Sequence, residues 1–250
     1  MTFPGASRWR FPDPSTADAD GVVGFGADLQ PGTLLQAYRQ GIFPWPHPGT
    51  PLPWFSPDPR GVLPLDGLRV ARSLRQRLRG CGFHTTVDRD FAAVVAACAA
   101  SRRAEGTWIL PEMRAAYLRL HLLGHAHSLE VWRGDEMVGG LYGVGVGAVF
   151  TGESMFHRVS DASKVGLVDL VARLAEAGGW LIDVQLTTPH LASLGARPMP
   201  RRDFLALLGR ARDVPVSLAR DRLPVARLVA PARPPAATPS LPTMRGTMGC

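Results

Sequence analysis

The residue types best suited to chemistry lie in the stretch 151–158, TGESMFHR. It places the carboxylate of Glu153 two residues from the thioether of Met155 and three from the ring of Phe156. A carboxylate accepts hydrogen bonds from cations, whereas a thioether and an aromatic ring pack against apolar groups. The stretch therefore predicts a pocket for a partly apolar and partly cationic ligand, at the mouth of a turn from a strand to a helix.

A second polar pair stands in the segment LIDVQL, where Val184 separates Asp183 from Gln185. Residues two apart on a strand project to the same face, about 6 to 7 Å apart. Together the two side chains could receive a proton and orient an amine. The alternative is a polar pair at a strand end that is satisfied by hydrogen bonds to nearby backbone. The pattern alone leaves both interpretations open.

Other catalytic chemistries lack a complete set of residues. His121, His125 and His127 are close in sequence, but Gly124 separates the first from the others and no Cys or carboxylate neighbour completes a metal site. Ser154 lies in GESMF and not in a GxSxG motif, and no phosphate-binding glycine loop occurs. We therefore expect no metal, no cofactor and no serine nucleophile.

The elements that position these groups follow from periodicity and turn residues. The turn Gly134-Asp135 predicts a hairpin of strands at 127–133 and 136–146, followed by a third antiparallel strand at 148–152. A helix at 163–177 and a strand at 180–186 come next, and this order indicates a crossover in a mixed sheet. The predicted fold class is α+β. Further helices are predicted at 31–40, 88–100, 111–123, 189–194 and 201–210.

The first 60 residues predict a smaller and less regular unit. Residues 1–20 are rich in Pro, Asp and Ser and are expected to be loose. The segment 42–59 carries seven prolines and four aromatic residues, so we predict that it is neither helix nor central strand. It is expected to be a rigid aromatic-lined loop, or else a plug over the edge of the core.

A basic surface is predicted at 66–80, where Asp66 would cap an amphipathic helix. Its polar side carries the five arginines Arg69, Arg72, Arg75, Arg77 and Arg79. Such a run suits a phosphate backbone, although a solvated helix face is the commoner explanation. The net charge of +7 does not separate the two, because it comes from arginine throughout the chain.

Composition limits where the chain functions. At 250 residues it could form one large domain or a small and a medium one. The three cysteines are widely spaced, which favours a reducing compartment, and no apolar run approaches the roughly 20 residues of a membrane helix. We expect a cytoplasmic protein without a membrane segment. Pro, Ala and Arg dominate from residue 213, which predicts a flexible tail at 213–250.

Several long blocks, taken in order, resemble the leucyl/phenylalanyl-tRNA–protein transferases. They are GADLQPGTLLQAYRQGIFPW, WFSPDPR, EGTWI, LGHAHSLEVW, MVGGLYGV, TGESMFHRVSDASK, LIDVQL, ASLGA and PRRDF, and together they cover about 21–212. The resemblance implies a small N-terminal domain at 21–60 and a GNAT-like (N-acetyltransferase type) mixed-sheet domain at 61–212. It implies transfer of Leu or Phe, with Met as a further donor, from aminoacyl-tRNA to acceptor proteins that begin with Arg or Lys. The product would be a degradation signal of the N-end rule.

The resemblance also assigns binding roles. Trp45 and Trp108 match tryptophans that hold the 3′-terminal adenosine, and the five arginines match a surface that contacts the tRNA backbone. The donor side chain would lie among Leu141, Met155, Phe156, Leu167, Leu170, Leu174 and Ile182. Positions 170 and 174 carry leucine where aromatics are familiar, so the preference among Leu, Phe and Met stays open.

For the chemistry, the resemblance places Gln185 next to the attacking amine, Asp183 behind it and Glu153 near the acceptor. A neutral amide is a poor base, so Gln185 would orient the amine and Asp183 would polarise that contact or take the proton through it. Glu153 and Asp183 would also attract the basic acceptor. Alignment contributes about 7 to 11 kcal/mol, more than proton transfer.

Two other functions remain alternatives. An acyl-CoA N-acetyltransferase of the same fold would need a pyrophosphate-binding loop, which 158–166 does not supply. A non-enzymatic RNA-binding protein would leave Glu153, Asp183 and Gln185 without a purpose. Acetyl-CoA binding would favour the first alternative, and RNA binding without transfer would favour the second.

Overall fold

The computed structural model describes residues 4–47, 49–101 and 106–229. Its helices are α1 (Pro31–Arg39), α2 (Arg72–Gly80), α3 (Phe91–Ser101), α4 (Pro111–Leu122), α5 (Ala162–Glu176), α6 (Pro189–Ser193) and α7 (Arg201–Ala211). Its strands are β1 (Val22–Phe25), β2 (Phe43–Pro44), β3 (Pro53–Phe55), β4 (Arg60–Pro64), β5 (His84–Val87), β6 (Ala126–Arg133), β7 (Glu136–Val146), β8 (Val149–His157), β9 (Leu181–Gln185), β10 (Arg197–Met199) and β11 (Leu223–Pro224). The predicted α+β class is confirmed.

A three-stranded sheet in the order β1-β3-β2 forms the core of the small N-terminal unit. The prediction that 42–59 contains no central strand is wrong, because β3 lies between β1 and β2. Pro53 is tolerated there because it opens the strand, and its carbonyl accepts a hydrogen bond from the Trp45 amide. Residues 4–20 carry little regular structure and most of them are exposed, but the Phe11 ring lies 4.7 Å from that of Trp54.

The larger sheet has the order β10-β4-β9-β8-β7-β6-β5-β11 and is mixed. The predicted antiparallel meander is confirmed as β6, β7 and β8, and the predicted crossover is confirmed as α5, which joins the parallel neighbours β8 and β9. Those two strands pair over only three positions, from Val149↔Leu181 to Thr151↔Asp183. Beyond Thr151 and Asp183 they separate, and the residues that follow on both strands face a gap.

Helices cover both faces of this sheet and bury two apolar clusters. On one face, α5 and α2 pack with Leu141, Phe150 and Ile182. On the other face, α1, α3, α4 and α7 pack with Tyr142 and Val144. Both faces are therefore shielded, and the gap between β8 and β9 lies between the two layers.

The basic helix begins later than predicted. α2 starts at Arg72, Ala71 occupies the N-cap position without a side-chain hydrogen bond, and Asp66 lies in a separate 3-10 turn, Leu65–Gly67. The Arg69 amide donates to the carbonyl of Leu194, so a tertiary hydrogen bond replaces the helical one there. Leu74 and Leu78 are buried as the apolar stripe predicted.

Strand β8 is longer than the predicted 148–152 and contains most of TGESMFHR. Glu153 and Met155 therefore lie on the strand itself, and the turn to α5 comes after His157. A bulge between Tyr142 and Gly143 shifts the pairing of β7 with β8. It interrupts the simple alternation of sides that a sequence pattern relies on. Helix α3 likewise starts three residues after the predicted 88.

The predicted flexible tail at 213–250 is corrected for 213–229. These residues include β11, which pairs with β5, and a 3-10 helix at Val225–Val229. Arg173, on α5, is buried and donates to the carbonyls of Ala219 and Asp221 while its Nε contacts Asp169 Oδ2 at 2.7 Å. A buried arginine thus holds a segment whose composition resembles a linker. Residues 230–250 lie outside the described residues, as do 1–3, 48 and 102–105.

Replacing this anchor, Arg173→Met, is expected to destabilise the fold by about 1 to 3 kcal/mol, because it removes the bonds to the Ala219 and Asp221 carbonyls and leaves Asp169 with Arg227 as its ion-pair partner. Chemical denaturation measures the change, and proteolysis should also begin within 214–229. Arg133→Met is the matched control, since its pair with Glu136 is more than half exposed and contributes at most about 1 kcal/mol. Equal stabilities of the two variants would contradict the anchoring role.

Candidate active site

A cavity of about 200 Å³ opens in the gap between β8 and β9. Its wall is largely apolar, and the few polar groups include one carboxylate. The apolar lining residues are Phe43, Pro44, Trp45, Trp108, Leu141, Phe150, Met155, Leu167, Leu170, Ile182, Val184, Leu186 and Leu191. The polar ones are Tyr142, Glu153, Ser154, Gln185 and Thr188, with Gly152 between them.

Five of the seven residues predicted for a donor pocket line this cavity, namely Leu141, Met155, Leu167, Leu170 and Ile182. Phe156 does not, because it follows Met155 on β8 and so faces the opposite side of the sheet, toward Val94. Leu174 lies one turn beyond Leu170 on α5 and packs against Gly179. Both are corrections to the predicted lining. The sequence also missed Phe150 and Leu191, which carry no motif of their own.

The predicted stacking residues Trp45 and Trp108 both lie at the cavity and are half-buried. Trp45 contacts the Phe55 ring edge-on at 5.8 Å between centroids, and Trp108 contacts Tyr117 edge-on at 6.4 Å. Trp45 also stacks on His47, at 6.1 Å between centroids, so each tryptophan is held by at least one aromatic neighbour. Two large aromatic surfaces from distant parts of the chain thus meet at one site.

Glu153 projects from β8 into a network of hydroxyl and amide donors. Its Oε1 accepts from Tyr38 Oη at 2.8 Å and from Gln185 Nε2 at 3.0 Å, and its Oε2 accepts from Tyr117 Oη at 2.7 Å. A carboxylate offers about four acceptor positions, so these three bonds leave about one on Oε2. The residue is 8% exposed and lines the cavity. A ligand with a donor group can therefore bind it.

Burial raises the pKa of Glu153 to about 7, because the charged form loses most of its hydration. The hydrogen bonds from Tyr117 and Tyr38 act in the opposite direction. Burial also raises the pKa values of both tyrosines well above 10, so they remain hydroxyl donors near neutral pH. Glu153 is thus a carboxyl group that can gain or lose a proton at physiological pH.

Asp183 and Gln185 do not converge on one spot. Asp183 is 1% exposed and faces Arg60, whose Nε and Nη2 donate to its two oxygens at 2.7 Å each. Gln185 has a left-handed backbone with φ of 63°, and this turns its side chain toward Glu153. The one contact between the pair is a 3.0 Å bond from the Gln185 amide to Asp183 Oδ1. Gln185 lines the cavity, and Asp183 supports it from behind.

The five predicted phosphate-contacting arginines, Arg69 to Arg79, lie around α2. Four are exposed, and Arg77 is partly covered with its Nε 4.0 Å from Asp161 Oδ2. Arg69 stands before the helix, on the segment bonded to Leu194. The five arginines are therefore largely exposed around one helix, and contact with phosphate stays a prediction.

Two of the three neighbouring histidines, His121 and His127, face the carboxylate of Asp88, which is distant from them in sequence. His127 Nδ1 lies 2.8 Å from Asp88 Oδ2 and His121 Nδ1 lies 3.7 Å from Asp88 Oδ1. Among the described residues no three His, Cys, Asp or Glu side chains are grouped so that they could hold a metal ion. In the same part of the chain, no helix has the length and apolar character needed to cross a membrane.

The fold and the cavity together define an α+β ligand-binding protein with an acid–base group in an apolar site. Comparison with known proteins gives the particular family. The model of the leucyl/phenylalanyl-tRNA protein transferase matches residues 62–209, and the model of the N-terminal domain of the same transferase matches 27–58. The chain belongs to the leucyl/phenylalanyl-tRNA–protein transferase family.

Curated relatives are similar in sequence to this chain over most of its length. A leucyl/phenylalanyl-tRNA–protein transferase of Chromohalobacter salexigens is 55% identical over 85% of this chain and 84% of its own length. The enzyme of that name from Thiobacillus denitrificans is 54% identical over 86% of this chain and 96% of its own. The one from Nitratidesulfovibrio vulgaris is 53% identical over 86% and 92%. The expected resemblance is confirmed.

Proposed function

We propose that this protein transfers Leu or Phe, and also Met, from aminoacyl-tRNA to the α-amino group of proteins that begin with Arg or Lys. The observation that carries the proposal is the position of Glu153, a carboxylate with a pKa of about 7 in the wall of a largely apolar cavity. The reaction needs both features, because an apolar side chain must be held beside an amine that loses a proton. The new N-terminus would mark the product for proteolysis in the cytoplasm, where aminoacyl-tRNA is found.

The donor side chain is assigned to the part of the cavity between β7, β8, β9 and α5. Leu141, Met155, Leu167, Leu170 and Ile182 present only apolar atoms there, so a polar side chain would lose its hydrogen bonds on entry. Leu, Phe and Met differ by a few carbon or sulfur atoms, and a methylene group discriminates by only about 1 to 3 kcal/mol. Overlapping donor preferences follow from this lining.

The 3′-terminal adenosine is assigned to Trp45 and Trp108, which border the cavity. Base stacking on an aromatic ring contributes about 1 to 3 kcal/mol and tolerates any base. The arginines around α2 would contact the tRNA backbone, which fixes position without reading sequence. Terminal adenosine and donor side chain would thus occupy adjoining parts of one site.

Trp45→Ala and Trp108→Ala are each expected to weaken binding of a short 3′-aminoacyl-adenosine donor by about 5- to 150-fold, because each loses one stacking surface. The KM of this donor measures the effect. Trp9→Ala is the matched control, since Trp9 is partly exposed and hydrogen-bonded to Asp28 away from the cavity. An unchanged KM in both cavity variants would contradict the assignment.

The acceptor amine is assigned to Glu153. The nitrogen of the acceptor amine attacks the ester carbonyl carbon. A C–N bond forms, and the bond from that carbon to the ribose oxygen breaks. Glu153 takes one proton from the ammonium form of the acceptor and gives it to the ribose oxygen. The second proton that the nitrogen loses on becoming an amide passes to solvent water, so atoms and charge balance. The pKa of about 7 lies near the α-amino value of about 7.7 to 8.0, which makes the transfer nearly isoenergetic.

Gln185 then orients Glu153 and the amine through hydrogen bonds, and it does not serve as a base. Its Nε2 donates to Glu153 Oε1, which leaves the amide oxygen able to accept a hydrogen bond from the incoming amine. The negative charge available to a basic acceptor comes from Glu153, because Asp183 is paired with Arg60. This replaces the expected role of Asp183 in proton transfer.

We also propose that the larger domain is GNAT-like. The support is the parallel pair β8 and β9, which is joined by α5 and separates around the cavity. An acyl-CoA enzyme would use a similar gap, but it needs a site for pyrophosphate beside α5. An RNA-binding protein without catalysis would have no use for a carboxyl group of raised pKa inside an apolar cavity.

Transfer from tRNAs charged with Leu, Phe, Met and Ala to peptides that begin with Arg or Lys tests the proposal. We expect Leu, Phe and Met to be transferred, Ala to be excluded, and an α-acetylated Arg peptide to be inert. Acetylation of the peptides with acetyl-CoA would instead show the acyl-CoA function. Binding of charged tRNA without transfer would show the RNA-binding one.

A further inference from the structure

We propose that Arg60 is a positioning residue for aminoacyl transfer: it joins the N-terminal wall of the cavity to strand β9, so that Gln185 faces Glu153. The role rests on the proposed function. Arg60 ends the block WFSPDPR, between the two matched ranges 27–58 and 62–209. It is the first residue of β4, the neighbour of β9 in the sheet.

The guanidinium of Arg60 donates hydrogen bonds to strand β9 and to the N-terminal unit at the same time. Nε and Nη2 donate to the two oxygens of Asp183 at 2.7 Å each, and Nη1 donates to the carbonyl of Gly41 at 3.0 Å. Asp183 lies on β9, whereas Gly41 follows α1 in the N-terminal unit. The side chain is 1% exposed, so solvent does not compete for these bonds. One side chain thus bridges the two parts of the molecule that form the cavity.

Two aromatic rings fix the orientation of this bridge. The Arg60 guanidinium carbon lies 4.8 Å from the centroid of the Phe43 ring and 4.6 Å from that of Phe204. Phe43 also lines the cavity, and Phe204 belongs to α7. Packing between rings favours the planar, delocalised guanidinium over an ammonium group. The guanidinium that makes the paired bonds to Asp183 is therefore in contact with two aromatic rings.

The bridge reaches the catalytic groups through short connections. On one side, Asp183 Oδ1 also accepts from the backbone amide of Gln185 at 3.0 Å. This bond supports the left-handed conformation of Gln185, which only a minority of residues other than glycine adopt. That conformation aims Nε2 at Glu153 Oε1.

On the other side of the bridge, Gly41 ends the helix that carries Tyr38, the second donor to Glu153 Oε1. Gly41 has φ of 76°, a conformation in which glycine ends helices without strain. Both donors to Oε1 are thus placed by elements that Arg60 holds together. A change in their separation would move the carboxylate that meets the acceptor amine.

Arg60→Lys tests the positioning role because it keeps the charge and loses the paired, planar contact. We expect its single-turnover transfer at saturating aminoacyl-tRNA to fall by about 100-fold, as for a misplacement of about 1 Å. The KM for aminoacyl-tRNA should stay within about twofold, since Arg60 touches neither the tryptophans nor α2. The control is Arg201→Gln, because Arg201 also bridges to the N-terminal unit, through Ser56 and Ser15, but makes no contact with β9.

The double variant Arg60→Gln/Asp183→Asn tests whether Arg60 matters because it positions Gln185 or only because it neutralises the buried charge of Asp183. It removes both buried charges, so its thermal midpoint should exceed that of Arg60→Gln alone, while transfer stays low. Recovery of transfer together with stability would overturn the role, as would a wild-type rate in Arg60→Lys. A wild-type protein that binds charged tRNA and transfers nothing would overturn the proposed function, and this role with it.

Discussion

Glu153→Gln is expected to reduce single-turnover aminoacyl transfer by about 10²- to 10⁴-fold, the range of general base catalysis. The glutamine keeps the size of the side chain, and its amide oxygen can accept from one of the two tyrosines while its NH2 group donates to the hydroxyl oxygen of the other. It cannot accept the proton of the amine. The rate is measured with Leu-tRNA and an Arg-starting peptide, with both substrates saturating. Ser154→Ala is the control, because Ser154 lines the same cavity from the next position on β8.

Binding of aminoacyl-tRNA should be nearly unchanged in Glu153→Gln, since the donor is held by the apolar lining and the tryptophans. A variant that transfers within about threefold of the wild type would remove Glu153 from the proton transfer. A variant that no longer binds charged tRNA would show that Glu153 shapes the donor site instead. Filter binding with charged tRNA separates these results.

The same substitution has a signature in stability. Burial raises the pKa of Glu153 from 4.5 to about 7, so between these values the folded state holds a proton that the unfolded state has lost. The contribution of this group to stability therefore falls as pH rises from about 4.5 to about 7. The amide of the variant does not titrate in this range. The thermal midpoint of Glu153→Gln should therefore increase relative to that of the wild type as pH rises from about 4.5 to about 7. A difference that stays constant between about pH 4 and 8 would contradict the raised pKa.

Asp183→Asn is expected to destabilise the fold by about 3 to 5 kcal/mol, because it leaves the buried Arg60 guanidinium without a counter-charge. Gln185→Ala is the comparison, since it removes one partly exposed hydrogen bond, of about 1 kcal/mol, and leaves the ion pair intact. Denaturant unfolding of the two variants measures the difference. We expect both to lose transfer, so only stability distinguishes them.

The contrast separates Asp183 from Gln185, which the sequence predicts to act together on the amine. A loss of stability confined to Asp183→Asn would show that Asp183 supports Gln185 and does not act at the amine. If Asp183→Asn were as stable as the wild type while transfer was lost, Asp183 would act directly on the reaction. The distances from Asp183 to Arg60 favour the supporting role.

The sequence located the reacting groups better than their surroundings. Glu153 and Gln185 were found because rare polar residues stood in apolar segments next to turns. Arg60, Tyr38 and Tyr117 were not assigned to the site, since their partners lie far away in sequence. Tyr38 contacts Glu153 across 115 positions and Arg60 contacts Asp183 across 123. Local periodicity carries no information on such pairs.

Errors in the fold have the same origin. Proline content argued against a central strand at Pro53–Phe55. Pro53, however, is the first residue of the strand, where its carbonyl accepts a hydrogen bond and no amide hydrogen is needed. Arginine-rich and alanine-rich composition predicted a flexible chain after 213, yet one buried arginine, Arg173, holds its backbone to α5. The mixed sheet and its crossover were predictable because their signals, turns and apolar stripes, are local.

The pH dependence of single-turnover transfer, compared between the wild type and Glu153→Gln, tests the central claim most directly. The wild-type rate should rise with an apparent pKa of about 7, the value of the buried carboxyl group. The variant should be slow and should rise only with the α-amino group of the acceptor, at about 7.7 to 8.0. Identical profiles and rates for the two proteins would contradict Glu153 as the group that takes the proton.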